Sequence, residues 1–415
     1  MARPKTCEPH DGQRLIIAEA EKRFRVACCG RRWGKTFLAL NILHNRAVKE
    51  AWGLFWWVAP TYAIARQPYR DFYSLFKPDI RHSNDTMMEY QLRNGAYIAF
   101  KSAENWKNLV GIGLDFLVVD ECGRVDNLAW QESLRPTLSD KSAPALFIGT
   151  PKGRKNWFHE LYQRGVNGED GYASFRFPTY TNPFIPPNEI EEAKRQLPET
   201  IFKQEYLAEF IDSSSTVFHN VNDCILGTSL LDGAKPARRY VAGVDLAKHQ
   251  DYTVVCILDV HTRGLVYMER FQHVEWSIQI KHLASILDRF AKPVCVIDDT
   301  KEETVSDLLK HQGYNVKTYT FTSNSKAELI QKLMLAMESK RINYPSTPET
   351  EILMNELRNY EYEITARNIS YNAPSGQHDD CVIALALANH GLVSGAVLGD
   401  RFYSIDKDRR GDGIY

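Results

Sequence analysis

The sequence predicts a two-domain α/β protein, and three observations carry that expectation. Short apolar runs alternate with helical stretches through the first half, a Gly- and Lys-containing loop, CGRRWGKT, joins the first run to the first helix, and three neighbouring strands open the second half before the alternation resumes. At 415 residues the chain also exceeds the roughly 250–300 residues at which a single core stops growing.

In order, the first half reads as strand RVACCG, a helix from Lys35 to Lys49, strand LFWWVAP, a helix from Ala63 to Phe76, and strands AYIAF, DFLVVDE and ALFIGTP. Buried runs alternating with helices imply a mostly parallel sheet whose carboxyl edge binds ligand. Beyond Tyr162 the pattern loosens. TNPFIPPNEIEEAKRQLPETIFKQEYLAEF gives two short helices bracketed by prolines, and IDSSSTVFHNVNDC reads as a connector. The expected organisation is a nucleotide-binding domain over 1–212, with a helical lid from about 160, a linker over 213–236, a second domain over 237–398 and a polar tail over 399–415.

The second half opens with strands YVAGVDLA, TVVCILDV and GLVYMERFQ, an antiparallel meander. There follow a helix (Ser277 to Phe290), strand PVCVIDD, a helix (Glu302 to Gln312), strand VKTYTF, helices from Lys326 to Ser339 and Glu351 to Asn359, and a last helix opened by His378, Asp379 and Asp380. Three antiparallel strands followed by strand–helix alternation is the order of a ribonuclease-H-like domain with a mixed sheet.

Composition excludes several classes. A net charge of −1 argues against a protein coated with positive charge, although the first 50 residues carry 11 Lys/Arg against 5 Asp/Glu and residues 213–415 carry 22 against 26. Any grip on nucleic acid is therefore local. The eight cysteines include no CxxC pair, which points to neither a disulfide framework nor a zinc site. No apolar run approaches the roughly 20 residues that cross a bilayer, and MARPKTCEPHDGQ does not resemble a signal peptide, so an intracellular protein without a membrane partner is expected.

A phosphate-binding loop needs backbone N–H groups facing the ligand, a Lys reaching the β- and γ-phosphates, and a hydroxyl on Mg²⁺. Gly34, Lys35 and Thr36 supply the end of GxxxxGK[ST]; the first glycine of the pattern falls on Cys29, with Gly30 one place late. Arg31 and Arg32 lie inside the loop as partners for the γ-phosphate, or else on a solvated turn. Asp120 and Glu121 close strand LVVDE, Asp120 assigned to the metal and Glu121 to the attacking water. Thr150, ending ALFIGTP, is placed to sense hydrolysis, and Gln13 in HDGQ to meet the adenine edge. Arg124 and Arg135 are candidates for an arginine finger, in the same chain or for a neighbour. ATP with Mg²⁺ is the implied cofactor.

Two-metal phosphodiester cleavage needs carboxylates from separate segments converging on two cations about 3.5 to 4 Å apart. Asp245 in VAGVDLA, Asp298 in VCVIDD, and Asp379 and Asp380 at the last helix form such a set, with Mg²⁺ or Mn²⁺ as the metal. Asp299 competes with Asp298, Asp251 is a further ligand candidate, and His378 is a ligand, a proton carrier or a cap. Asp379 also suits a helix cap.

HDGQ, GRRWGKT, VVDE, RPTLSD, IGTPKG with NWFHELY, TNPF, FKQEYLAEF, GVDLAKHQDYT, VIDDT and HDDCVIALALA together resemble the large subunit of a tailed-bacteriophage terminase, in order and through nearly the whole chain. The resemblance implies a P-loop ATPase of the additional-strand class joined to a ribonuclease-H-like nuclease. It implies ATP-driven translocation of double-stranded DNA into a procapsid, and cutting of concatemers at Asp245, Asp298 and one or both of Asp379 and Asp380. It further implies a portal protein and a small terminase subunit as partners, self-association into a ring, expected as a pentamer, and a place at the portal vertex in the host cytoplasm. Two rivals remain at this point: a host recombination or repair ATPase-nuclease, and an ATPase carrying an inert DNA clamp.

Overall fold

The computed structural model describes residues 8–211, 216–246, 252–272, 275–298, 303–364, 369–374 and 377–394. Two of the sequence candidates, Asp251 and Asp299, lie outside the described residues, as does the tail over 399–415. The chain divides into two compact units, Met1–Ser213 with Ile364–Asn368, and Ser214–Glu363 with Ile369–Tyr415.

The first unit is built on an eight-stranded sheet. After helix α1 (Asp11–Ala18) come β1 (Phe24–Cys29), α2 (Lys35–Lys49), β2 (Leu54–Ala59) and α3 (Tyr62–Phe76). Then follow β3 (Ile80–Asn84), β4 (Glu89–Leu92), β5 (Tyr97–Ser102), β6 (Phe116–Val119), β7 (Ala145–Gly149), α4 (Trp157–Val166), β8 (Tyr172–Phe177), α5 (Pro187–Gln196) and α6 (Glu199–Glu205). The spatial order is β3-β4-β5-β2-β6-β7-β1-β8. Strands from β5 to β8 run parallel, and β3 and β4 fold back antiparallel. An extra strand, β7, thus separates β1, which feeds the phosphate loop, from β6, which ends beside Asp120. The central strands are buried throughout, as expected of a sheet covered on both faces. Thr61 caps α3 by accepting from Ile64 N at 3.2 Å.

Three strands of this sheet do not stand out in the sequence. In β3 only Ile80 is even half-buried, β4 has only four residues, and β8 (YASFRF) is half-buried without clean alternation. Each run is too exposed, too short or too irregular to be told from loop.

The second unit holds β9 (Tyr240–Asp245), β10 (Thr253–Asp259), β11 (Leu265–Phe271), α7 (Trp276–Arg289), β12 (Val294–Asp298), α8 (Glu303–His311), β13 (Val316–Tyr319), α9 (Ser323–Glu338), α10 (Pro348–Asn359), the hairpin β14 (Glu361–Ile364) and β15 (Ile369–Asn372), and α11 (Asp380–Val393). The five-stranded sheet runs β11-β10-β9-β12-β13, with β9 antiparallel to β10 and parallel to β12. Helix α11 is apolar nearly all round and buried, so it is a core helix packed on β9 and β10. Its approach requires glycine at 243, because a Cβ there would lie 2.2 Å from Ala384 O. Residues 216–231, read from composition as linker, lie on this unit. Val217 N donates to Tyr360 O, and Phe218, Val221 and Cys224 are buried.

Candidate functional site

The phosphate loop turns between β1 and α2. Gly34, at the helix N-cap, has φ of 102°, a left-handed conformation that glycine adopts without strain. Lys35 is buried, with Nζ 3.4 Å from Thr150 Oγ1 and 3.7 Å from Glu121 Oε1, so one ammonium joins three of the expected site residues. Asp120 is 3% exposed, and its Oδ1 accepts from Glu121 N at 2.9 Å. Burial first and the neighbouring Glu121 charge second push its carboxyl up to about 7, against the pull of Lys35. Glu121 itself sits at φ 46°, in the left-handed region that a non-glycine residue seldom adopts.

A cleft of about 660 Å³ opens beside these groups, lined by Arg32, Gly34, Lys35, Thr36, Asp120 and Glu121 on one side and by Ile64, Pro68, Leu75, Phe184 and Ile185 on another. Gln13 also lines it, but both ends of its amide are engaged. Oε1 accepts from His10 N and Nε2 donates to Gly34 O, each at 3.2 Å. Gly30 and Arg31 face the back of the loop, where Gly30 meets Thr179 and Tyr206 and Arg31 pairs with Glu205. Arg124 is half-buried in the turn after Glu121. Arg135 lies over the Phe24 ring, 5.3 Å from its centroid, at the amino end of β1 and so at the sheet edge opposite the phosphate loop.

In the second unit, Asp245 ends β9 and Asp298 ends β12. The register pairs Val244 with Ile297, which sets the two aspartates side by side on adjacent parallel strands. Asp298 is buried. Asp379 is the N-cap residue of α11 and Asp380 its first residue. Asp380 Oδ2 accepts from Tyr252 N at 3.1 Å and lies 3.7 Å from His378 Nδ1. Asp379 Oδ2 pairs with Lys326 Nζ at 2.9 Å and lies 3.1 Å from the Tyr360 hydroxyl. Burial first, then Asp379 and more weakly Asp245, drive the Tyr360 phenol well above its ordinary range. Among the described residues, no three His, Cys, Asp or Glu side chains are drawn together closely enough to hold a metal ion.

Two family profiles divide the chain between them: terminase large subunit, T4likevirus-type, N-terminal, over residues 27–222, and terminase RNaseH-like domain over residues 242–391. The large terminase subunit of Thermus virus P23-45 is 30% identical over 92% of this chain and 87% of its own length. The chain belongs to the terminase large-subunit family. The large subunit of Escherichia phage T5 is 29% identical over 72% of each chain. A solved structure, the large terminase of a thermophilic bacteriophage, shares the fold at a TM-score of 0.59 and 14% identity, over 92% of this chain and 99% of that one. This terminase is an ATP hydrolase and a metal-dependent endodeoxyribonuclease, the motor and nuclease of viral DNA packaging, with DNA and the packaging machinery as its partners. Neither the host repair enzyme nor the inert clamp gains support from these matches. No described helix of the terminase is long and apolar enough to cross a membrane.

Several residues at these sites escape sequence reasoning. Asn182 Nδ2 donates to Arg32 O at 2.8 Å, and the exposed Phe184 stands at the rim of the nucleotide cleft; TNPF carried them without showing which side chain faces the site. Lys152, two residues past Thr150 in TPKG, is buried against Glu205. Glu356 of α10 accepts from Cys381 N at 2.8 Å and Val382 N at 3.3 Å, so a carboxylate distant in sequence holds the first turn of the helix that carries Asp380. Burial raises the Glu356 carboxyl, against these hydrogen bonds.

Proposed function

We propose that the ATPase of this terminase works through Lys35 and the N–H groups of Arg32 and of Gly34 to Thr36 on the β- and γ-phosphates, with Thr36 and Asp120 toward Mg²⁺ and Glu121 toward the attacking water. The observation that carries it is the position of Lys35 Nζ between Glu121 and Thr150 at the mouth of the cleft. Asp120 fits a cation, being a buried carboxylate raised to about 7 by burial and Glu121, with Lys35 and hydrogen bonds from Glu121 N and Trp57 offsetting part of that rise. Mg²⁺ there supplies charge neutralisation for the transferring phosphate. The chain's own groups fix the phosphates, hold Glu121 in its left-handed turn, and bring Thr150 within reach of the same ammonium. The apolar wall of Ile64, Pro68 and Leu75, with Phe184 at the rim, suits a purine ring.

For the nuclease we propose Asp245, Asp298 and Asp380, with Asp379, as ligands of Mg²⁺ or Mn²⁺. Carboxylate oxygens are the donors such hard cations take, and the strand register sets the first two side by side. The metals would supply the hydrolytic chemistry on the phosphodiester, while Tyr252 N and His378 hold Asp380, and Lys326 and Tyr360 hold Asp379. Arg135, at the amino edge of its own sheet, is proposed to act on the nucleotide of a neighbouring subunit in a ring seated on the portal at the procapsid vertex, with a small terminase subunit delivering the DNA. The ADP-bound and ATP-γ-S-bound structures of the thermophilic bacteriophage's large terminase and the magnesium-bound nuclease of phage G20c name the same cofactors for those proteins.

The test separates the two sites in the full-length protein. Lys35→Ala is expected to abolish ATP turnover and leave metal-dependent plasmid cutting intact, and Asp245→Ala to do the reverse. Loss of both activities in either variant would sink the assignment of two independent centres.

A further inference from the structure

The phosphate loop is gripped from behind by the segment that follows β8. Gly30 N donates to Phe177 O at 2.9 Å and Arg31 N to Glu205 O at 2.7 Å. Thr179 Oγ1 donates to Arg31 O at 2.8 Å. A Cβ at position 30 would lie 2.4 Å from Thr179 Oγ1 and 2.6 Å from Tyr206 O, so the loop and the lid segment touch with no room for a side chain.

At the centre of this grip is Glu205, the last residue of α6. Its Oε2 takes Arg31 Nε and its Oε1 takes Lys152 Nζ. Glu205 and Lys152 are buried, while the Arg31 side chain is 57% exposed. A buried carboxylate is costly unless its charge is matched, and here two cations match it. Burial by itself would raise the Glu205 carboxyl, yet Lys152 and Arg31 hold it at about 2. Neither cation belongs to Glu205 alone by position. Arg31 comes from the phosphate loop and Lys152 from the segment after Thr150, and both lie within electrostatic reach of Glu121. Glu121 already has Lys35 Nζ at 3.7 Å. A carboxylate that must orient water needs an oxygen that no cation claims.

We propose that Glu205 is a positioning residue of the ATPase: by binding Arg31 and Lys152 on one buried carboxylate, it keeps both cations off Glu121 and fastens the lid helix to the phosphate loop. This rests on the assignment of Lys35, Asp120 and Glu121 to ATP hydrolysis, which Lys35→Ala tests separately. Without Glu205, Glu121 is left as a carboxylate within electrostatic reach of both released cations, and the loop loses its tie to α6.

The experiment uses the full chain and ATP. Glu205→Gln is expected to lower kcat about tenfold or more while KM stays within about threefold, since groups near the reacting phosphate shift and the purine wall does not. That variant leaves Lys152 buried without its counterion and is liable to unfold, so the deciding protein is Glu205→Gln with Lys152→Met. Replacing both partners removes the unmatched charge, so the melting temperature is expected to return to within about 5 °C of the parent, yet kcat stays about tenfold down because Arg31 remains unheld. Parental kcat in the double variant would make the network a matter of stability only and overturn the proposal, as would parental kcat in a folded Glu205→Gln protein. Loss of turnover in Lys35→Ala alongside a normal parent shows that the ATPase assignment holds whichever way the Glu205 result falls.

Discussion

In the nucleotide half, the phosphate loop is held on several sides by neutral hydrogen bonds to Phe177, Thr179, Asn182, Glu205 and Gln13, so its shape follows from the fold. In the carboxylate half, Asp379 leans on Lys326 and Tyr360, and Asp380 on a backbone N–H and His378, so its shape follows from the donors and the counter-charge around its carboxylates. The difference reflects what each site must bind. Phosphate is met by N–H and ammonium groups, which pack against carbonyls at no electrostatic penalty. Metal is met by carboxylates, which repel one another and keep company only when cations or donors intervene. One half can be rigid before its ligand arrives, and the other is coupled to its cation by construction.

The largest expected effect tests the rigid half. Asp120→Asn keeps an acceptor for Glu121 N but removes the buried charge, so ATP turnover should fall about 10³-fold, about 4 kcal/mol of barrier, without loss of thermal stability. A variant that melts well below the parent would mean that the carboxylate shapes the loop, contrary to the comparison.

Glu205 gives the next effect. Its folded carboxyl stands at about 2 against a reference of 4.5, the depressed case, with Lys152 and Arg31 overcoming burial. Its stabilising contribution is therefore complete above about pH 5 and is lost as pH falls toward 2, a change of up to about 3 kcal/mol. The Glu205→Gln, Lys152→Met double variant lacks the titrating carboxyl, so the parent's stability should fall more steeply between about pH 5 and pH 2.5 than the double variant's. Parallel slopes in denaturant titrations at those pH values would remove the buried ion network from the account of this half.

How much of this was legible in the sequence follows the same division. Lys35, Asp120, Glu121 and Thr150 could be read because each ends a strand or opens a helix, where apolar periodicity stops abruptly. The alternating runs also show β1, β2, β5, β6 and β7, and the order of the second unit apart from the hairpin β14–β15. Glu205 and Lys152 could not be read, because nothing in FKQEYLAEF or TPKG shows that residues 53 positions apart share a buried ion pair. Glu356 was hidden for the same reason, 25 positions ahead of the backbone it holds. Gly30 reads as a phosphate-loop glycine; its geometry adds a reason that the motif does not contain, the Tyr206 carbonyl behind it.

A third test concerns the close approach that positions the last helix. Gly243→Ala places a Cβ 2.2 Å from both Ala384 O and Ala388 N, backbone atoms that cannot turn aside. Helix α11 must move off β9, costing about 1–3 kcal/mol, and carry Asp380 away from Asp245. Melting of the second unit should drop and plasmid cutting should weaken while ATP turnover is unchanged. Cutting that survives the loss of stability would show that the carboxylates find their cations without help from the helix.

The smallest expected effect bears most directly on the claim that counter-charges shape the second site. Lys326 Nζ lies 2.9 Å from Asp379 Oδ2 and 3.2 Å from Asn372 Oδ1, with both members of the ion pair about a quarter exposed. An ammonium at that oxygen competes with any divalent cation for it and repels the cation as well. Water and salt screen such a partly exposed pair, so the competition is worth only about 1 kcal/mol. In Lys326→Met the concentration of Mg²⁺ or Mn²⁺ giving half-maximal cutting should therefore fall about three- to tenfold, an effect that shrinks as salt is raised. Tyr360 continues to hold Asp379, so the maximal rate should change less than the metal requirement. A metal requirement that rises instead would mean that the lysine holds Asp379 in place for the cation, making the second site as prearranged as the first.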